Sequence, residues 1–276
     1  MSTEIKLKPL YLFFVAANSL LLAGNILINT VNIPQLILLQ WCGISGIFLI
    51  YRFNDFIDQT HDFKFNIRRF LSIKLHIIIL GQLFLITLPA AFYLLSAFHI
   101  LILIIICILG ILYSLTFPYN GRNYRVKNIF LVKNIFIGFA WGSLILVGAG
   151  VFANDLISGL FIFTSIQVTI GSIIRDIPDI ARDKTDNVKS LPVIFGTEKT
   201  LNLLHILNAL SLLAGCLMEK SNAFLLLMLI TISWRAFSLV KIQNNHHSRL
   251  WTQTFNLLTC FLILVIILVQ YIYELN

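Results

Sequence analysis

Three carboxylates lie close together in the stretch between residues 51 and 62, where Asp55, Asp58 and Asp62 are spaced by three and four positions. On an α-helix this spacing places all three side chains on one face. Like charges stacked on one face destabilise a helix unless a cation neutralises them, and clustered hard oxygen ligands suit Mg²⁺. The stretch therefore predicts a magnesium site.

The same spacing returns 121 residues later, at Asp176, Asp179 and Asp183. The chain has only 12 acidic residues, and six of them lie in these two windows. Protein-bound Mg²⁺ usually bridges carboxylates to substrate phosphates, and two such ions would neutralise the charge of a departing diphosphate. We interpret the two windows as one metal and diphosphate site, assembled from two halves of the chain.

Each window also has a plain structural interpretation, a solvated acidic surface balanced by neighbouring bases such as Arg52. The recurrence of one spacing in an acid-poor chain favours the metal site. Asn54 offers a carbonyl oxygen that suits either a metal ion or a helix N-cap. Pro178 predicts a break or helix start near Asp176, because proline lacks an N–H and clashes inside a helix. Whether Asp176 shares a helical face with the other two carboxylates is therefore left open.

A departing diphosphate also needs cations, and aromatic faces can stabilise a positive charge. Each basic candidate has an alternative role as a topology determinant or lipid-headgroup contact, and each aromatic candidate as a packing residue or interface anchor. The basic candidates are Arg122, Arg125, Lys127, Lys133, Arg182 and Lys184. The aromatic candidates are Tyr51, Tyr113, Phe117, Tyr119 and Trp141.

The elements that must position these residues are predicted to be membrane-spanning helices. The chain is 58% apolar and 12% charged, whereas ordinary soluble domains carry about 25% charged residues. Apolar runs of about 20 residues recur, each long enough to cross a bilayer, and lipid favours helices because a helix satisfies its own backbone. We predict an all-α polytopic membrane protein, a single domain over residues 1–276. Its nine spans run roughly over 10–30, 35–53, 70–96, 98–117, 129–152, 155–175, 200–217, 222–241 and 251–273.

The basic residues predict how these spans are oriented. Nineteen of the 20 Lys and Arg residues lie at the N-terminus or on and beside the even-numbered connections, and only Lys220 lies on the other side. The positive-inside rule then places the N-terminus and both aspartate windows in the cytoplasm and the C-terminus outside. This placement accounts for the net charge of +8, so no nucleic-acid partner is expected.

The motifs together resemble the UbiA superfamily of intramembrane prenyltransferases over about residues 20–200. The two signatures are Asn54-Asp55-x-x-Asp58-x-x-x-Asp62 and Asp176-x-x-Asp179-x-x-x-Asp183. Three supporting segments are Tyr113-Ser114 followed by Pro118, Lys133-Asn134 leading to Trp141-Gly142, and Lys189-Ser-Leu-Pro192-Val with Gly196. The resemblance implies a nine-helix bundle around a central cavity, capped by cytoplasmic loops. It also implies Mg²⁺-dependent transfer of an isoprenyl group from a prenyl diphosphate to a lipophilic, aromatic or lipid acceptor in the membrane.

The resemblance assigns the diphosphate, through metal, to the six aspartates Asp55, Asp58, Asp62, Asp176, Asp179 and Asp183, with Asn54 beside them. The basic residue that follows the Tyr-Ser-x-Pro-like element is ambiguous, because residues 119–123 stretch the spacing. The candidate substrate-binding set is Arg52, Asn54, Tyr113, Ser114, Arg122, Arg125, Lys127, Lys133, Asn134, Arg182 and Lys184.

Other functions are weighed against this one. A CDP-alcohol phosphotransferase needs Gly directly after its second Asp, whereas Ile180 follows Asp179. A transporter places ionisable residues near the bilayer midplane, whereas the acidic residues here cluster at one face. A terpene cyclase of the same fold, in which the ionised chain attacks its own double bond, is not separated from transfer by the sequence.

Overall fold

A computed structural model describes most of the chain. It covers residues 9–26, 33–61, 67–119, 122–125, 129–151, 155–185, 188–217 and 222–245, together with Trp251, Phe255, Leu258, Thr259, Phe261 and Val265. The described part is helical apart from one short β-hairpin, so the predicted helical class is confirmed.

The elements follow in chain order. The helices are α1 (Pro9–Ile26), α2 (Ile33–His61), α3 (Ile67–Leu94), α4 (Ala97–Ser114), α5 (Val132–Ala149), α6 (Asp155–Asp176), α7 (Ile180–Thr185), α8 (Leu191–Leu210) and α9 (Asn222–Asn245). Two 3₁₀ segments cover Ile177–Asp179 and Ser211–Leu217. The antiparallel hairpin pairs β1 (Thr116–Tyr119) with β2 (Arg122–Arg125).

Six helices of the described part are long and apolar enough to cross a membrane. They are Ile33–Ile57, Ile73–Leu94, Ala97–Ser114, Val132–Ala149, Asp155–Thr185 and Phe224–Asn244. Large apolar side chains point outward on the outer helices, and Ile86 on α3 is 74% exposed. Such surfaces belong in lipid, and the chain is an integral membrane protein. The predicted ninth span, 251–273, lies mostly outside the described residues.

Three boundaries differ from the predicted spans. Helix α2 continues past residue 53 to His61, which carries the first aspartate window onto a helix as far as the described residues extend. Helix α8 begins at Leu191, where Ser190 is extended and Pro192 lies in the first turn, but it is broken at Gly196 (φ 77°, ψ 169°), close to the predicted start near residue 200. The fourth span ends at Ser114 because Leu115 turns extended and the hairpin follows. Hydropathy marks only the apolar part of a helix, so it missed the polar extension of α2.

Helix α5 lies at the centre of the bundle, where glycines allow close backbone contact. A Cβ atom at Gly142 would meet Ser165 and Phe161 of α6, and one at Gly24 of α1 would meet the Ile145 carbonyl oxygen. Small residues at helix crossings are a common way to pack helices in membranes. The close packing holds the first turn of α5 next to the last turn of α6, where site residues lie.

Candidate active site

The second aspartate window lies where α6 passes through a tight turn into α7. Helix α6 ends at Asp176, and the 3₁₀ segment that contains Pro178 and Asp179 follows directly. Asp176 (φ −78°, ψ −18°) and Ile180 (φ −49°, ψ −46°) both keep right-handed helical dihedrals. The predicted break is therefore a local tightening. The chain continues on a helical path, but Asp176, Asp179 and Asp183, all described, are not close enough together to form a metal-binding group of three.

Asp176 is buried and is held by two residues of α5. The Nζ atom of Lys133 lies 2.8 Å from its Oδ1 atom. Asn134 donates from Nδ2 to Asp176 Oδ2 at 3.1 Å and to Ser172 Oγ at 3.0 Å. Asn134 is only 2% exposed, so these bonds are shielded from solvent. Charge-assisted bonds of this kind fix the orientation of a carboxylate.

Asp179 and Asp183 are both half-buried. The Oδ2 atom of Asp183 is buried, and none of the residues that the structure describes donates a hydrogen bond to it. A buried carboxylate oxygen without a donor carries a desolvation cost that a bound cation would remove. The second window therefore fits a divalent ion in its chemistry, with Asp183 as the residue that needs one most.

The first window is described only in part. Asp55 is half-buried, and its Oδ2 atom lies 3.5 Å from Nη1 of Arg52, one turn earlier on α2. Asp58 is on α2, but its side chain and the whole of Asp62 lie outside the described residues. Among the side chains that the structure describes, no group of three or more His, Cys, Asp or Glu is close enough to hold a metal. The full ligand sets of both windows therefore stay a prediction.

An apolar cavity with about 710 Å³ of empty space lies between α2, α4 and α5. Three of the predicted aromatic residues, Tyr51, Tyr113 and Trp141, line this cavity, and Asn54 adds a polar group. Phe136 and Ile137 line it from α5, within one turn of Lys133 and Asn134. We call it the first cavity. A hydrocarbon chain fits such a lining, and Asn54 sets its polar end.

The remaining predicted residues are distributed around this arrangement. Ser114 is fully buried, and its hydroxyl donates to the Gly110 carbonyl oxygen of its own helix at 3.1 Å. Arg182 and Lys184 lie exposed on α7. Arg122 and Arg125 lie on β2 with side chains that are not described, and Lys127 is outside the described residues. Of the predicted cations, the structure brings Lys133 into contact with an aspartate of the second window.

Three buried polar residues were missed by the sequence reasoning. Ser172 connects Asn134 to α6 and belongs to no motif. Arg235 was counted as a flanking topology determinant, which is wrong because it lies inside α9 and is 1% exposed. Its guanidinium bonds to Gln167 of α6. A usable signal was present, since a charged residue inside an apolar run seldom occurs without a function.

The chain forms a helical membrane bundle. Near one end, the bundle holds a fixed carboxylate, a cation paired with it and an apolar cavity. This combination is typical of intramembrane enzymes that act on amphiphilic substrates. The family model described as the UbiA prenyltransferase family matches residues 10–260, and the chain belongs to this family. It is an integral membrane protein of this family.

Individual relatives agree with the family. Over 134 residues the chain is 31% identical to the digeranylgeranylglyceryl phosphate synthase of Methanosphaera stadtmanae, a match that covers 48% of this chain and 46% of that protein. A UbiA homologue from Aeropyrum pernix K1 superposes with a TM-score of 0.69 at 14% identity, covering 94% of this chain and 98% of that one. A UbiA homologue from Archaeoglobus fulgidus bound to DMAPP and Mg²⁺ gives 0.63 at 16% identity, covering 93% and 96%. At these identities the two structures show the shared fold.

Proposed function

We propose that this protein transfers an isoprenyl group from a prenyl diphosphate to a lipophilic acceptor in the membrane, with Mg²⁺ at the aspartate windows. The observation that carries the proposal is the Asp176 carboxylate, fixed by Lys133 and Asn134 beside an apolar, aromatic-lined cavity. The Archaeoglobus fulgidus homologue, solved with DMAPP and Mg²⁺, supports the same ligands here.

Different residues would bind the diphosphate end and the isoprenyl end of the donor. Asp176, Asp179 and Asp183, together with Asp55, Asp58 and Asp62, would hold the divalent ions, and Asn54 would ligate metal or orient water. Bound Mg²⁺ supplies positive charge that stabilises the departing diphosphate. Lys133 pairs with Asp176 and orients its carboxylate. The further candidates for phosphate contact are Arg52, Arg122, Arg125, Lys127, Arg182 and Lys184.

The first cavity would receive the isoprenyl chain. Its apolar walls exclude water, which would otherwise capture the carbocation after the C–O bond to diphosphate breaks. The faces of Tyr51, Tyr113 and Trp141 can stabilise that cation. The acceptor then forms the new bond to the same carbon and releases a proton, so that the products are the prenylated acceptor and diphosphate.

The topology and domain extent belong to the same proposal. A single domain over residues 1–276 would span the membrane nine times, with the N-terminus and the aspartate windows cytoplasmic and the C-terminus outside. The placement of 18 of the 20 basic residues, once Arg235 is set aside, supports this orientation. The Methanosphaera stadtmanae relative, named for a glyceryl phosphate product, supports a glycerol-lipid acceptor, although the match spans less than half of that protein.

The decisive experiment offers purified full-length protein a set of prenyl diphosphates of graded length, Mg²⁺ and a membrane lipid extract. Mass spectrometry should find a lipid that is heavier by one prenyl unit and that disappears when EDTA replaces Mg²⁺. A hydrocarbon made from the donor alone would identify a cyclase. No Mg²⁺-dependent product with any donor would contradict the proposal.

A further inference from the structure

A second cavity, with about 1050 Å³ of empty space, lies between α1, α5, α6 and α9 and reaches Phe255 and Thr259. Its lining is largely apolar, but Arg235 and Gln167 lie in its wall. We propose that these two residues bind the acidic head group of a lipophilic ligand, a carboxylate or phosphate on a hydrocarbon chain. The link between this ligand and the acceptor rests on the proposed function; the anion site itself does not.

Most, but not all, of the hydrogen-bond donors of the Arg235 guanidinium have a partner in the protein. Its Nε atom donates to Gln167 Oε1 at 3.2 Å, and its Nη2 atom donates to the Gln167 carbonyl oxygen at 3.1 Å. The guanidinium carbon lies 3.2 Å from the centroid of the Phe255 ring. Nη1 is buried, and none of the residues that the structure describes accepts a hydrogen bond from it.

None of the carboxylates that the structure describes forms an ion pair with Arg235. Helix α9 contains no Asp or Glu, and neither does the stretch 251–273 that follows it. Two ion pairs of the described residues have been given above, Arg52–Asp55 and Lys133–Asp176. Both belong to the aspartate site. A charge buried inside a membrane bundle without a counter-ion is costly, so an anion in the cavity would stabilise it.

The shape of the cavity fits the rest of an amphiphile. Leu20, Ile145, Phe163 and Leu227 are among the side chains that would contact a hydrocarbon chain, and Thr231 lies one turn from Arg235 on α9. Ligand-binding sites usually have a mostly apolar lining with a few polar groups that fix the orientation of the ligand.

The second cavity also leads toward the aspartates. Gln167 lies nine residues before Asp176 on α6, which is about 13 Å along the helix axis. Ser172 and Arg175 of the same helix line the cavity, and Ser172 accepts a hydrogen bond from Asn134, the partner of Asp176. Trp141 borders both cavities. A ligand anchored at Arg235 would therefore lie next to the space assigned to the donor.

The first test measures binding to the purified full-length protein without donor or Mg²⁺. The probes are oleic acid, oleyl phosphate and oleyl alcohol, which share one chain and differ in head-group charge. The wild type should bind both acids at least tenfold more tightly than the alcohol. Equal affinity for acid and alcohol would overturn the proposal, and this comparison needs no variant.

Two substitutions locate the effect. Arg235→Gln should bring the affinity for the acids down to that for the alcohol. Gln167→Glu places a carboxylate beside Arg235 and should likewise remove acid binding, while a thermal melt reports whether the fold is kept. Lys241→Gln removes one charge from the same helix outside the cavity and should leave the preference intact. Folded Arg235 and Gln167 variants that still prefer the acids would contradict the site.

The last arm separates the ligand sources and the two proposals. Inhibition of transfer by oleic acid, competitive with the acceptor and not with the donor, would identify an acceptor site. Bound acid without inhibition would identify a resident acidic lipid. Asp179→Asn should lose transfer and still bind oleic acid. If no transfer is found, acid binding still tests the anion site by itself. If acid and alcohol bind equally, the anion site is contradicted and the transfer proposal is unaffected.

Discussion

At the scale of single residues, the second aspartate window shows how a structure distributes roles among identical side chains. Asp176 is saturated by a lysine and an amide, whereas Asp183 presents a buried oxygen that no described residue bonds. A carboxylate already paired with an ammonium group contributes less charge to a metal than one that is not. We therefore expect Asp179 and Asp183 to contribute most of the negative charge for Mg²⁺, with Asp176 supporting their position.

Asp179→Asn should abolish Mg²⁺-dependent release of diphosphate while the protein still inserts and folds. The amide keeps the size of the side chain but loses the charge that binds a cation. Diphosphate release from a prenyl diphosphate is the measurement, and Asp155→Asn at the other end of α6 is the matched control. Near-normal turnover of the Asp179 variant would remove this residue from the site.

Asn134→Leu should lower both stability and activity. The substitution leaves Asp176 Oδ2 and Ser172 without their buried donor, which costs about 1–3 kcal/mol of unfolding free energy. Thermal unfolding in detergent and the initial transfer rate are the two readouts. The exposed Asn244, near the end of α9, provides the control, since Asn244→Leu removes an amide without breaking a buried bond. Unchanged stability and rate in the Asn134 variant would mean that the bonded triad is dispensable.

At the scale of elements, α5 joins the two halves of the site. Its first turn contacts Asp176 of α6, and its next turns line the first cavity with residues of α2 and α4. The helix is buried without interruption from Trp141 to Ala149. A shift of α5 would therefore move Lys133 and Trp141 together, which couples the polar end of the site to its apolar end.

Gly142→Val should separate α5 from α6 and reduce activity as well as stability. Its new side chain would meet Ser165 and Phe161, and overpacking of this kind costs about 1–3 kcal/mol. Gly81→Val on α3 is the control, because nothing lies within 4 Å of a Cβ at Gly81. Melting temperature and transfer rate should fall for the first variant and stay near wild type for the second. Equal melting temperatures would show that the α5–α6 contact is looser than described.

At the scale of the whole molecule, the polar ends of four helices lie at the same end of the bundle. Asn54 and Tyr113 lie toward the C-terminal ends of α2 and α4, Asp176 ends α6, and Lys133 begins α5. Helices that alternate in direction bring these ends to one side of the membrane. One side of the bilayer thus carries the polar chemistry, and the apolar cavities lie beneath it.

Reporter fusions test which side this is. Alkaline phosphatase, which is active only outside the cytoplasm, should be inactive when fused after residue 245 and active when fused after residue 276. The reason is that a final span would lie between the two points and that basic residues stay in the cytoplasm. Green fluorescent protein at the same points should give the opposite pattern. Identical behaviour at both points would contradict a ninth span.

Much of the fold follows from the sequence because lipid leaves few choices. Apolar runs must become helices there, so the six long apolar helices of the described part were predictable from hydropathy. The boundaries of the helices were less predictable. Hydropathy stops before the polar last turns of α2, and it does not show the break at Gly196 in α8. The hairpin at Thr116–Arg125 depends on pairing across a turn, which no periodicity predicts.

The sequence by itself determined the membrane-spanning helices and the +3 and +4 spacing of the carboxylates, because both are set by neighbours along one chain segment. Only the tertiary structure decided that Lys133 and Asn134 hold Asp176, and that Arg235 faces a cavity and not the cytoplasm. These contacts join residues more than 40 positions apart, and the glycine crossings that allow them arise only when α5, α6 and α1 pack. Long-range partners depend on where whole helices pack, which local patterns do not encode.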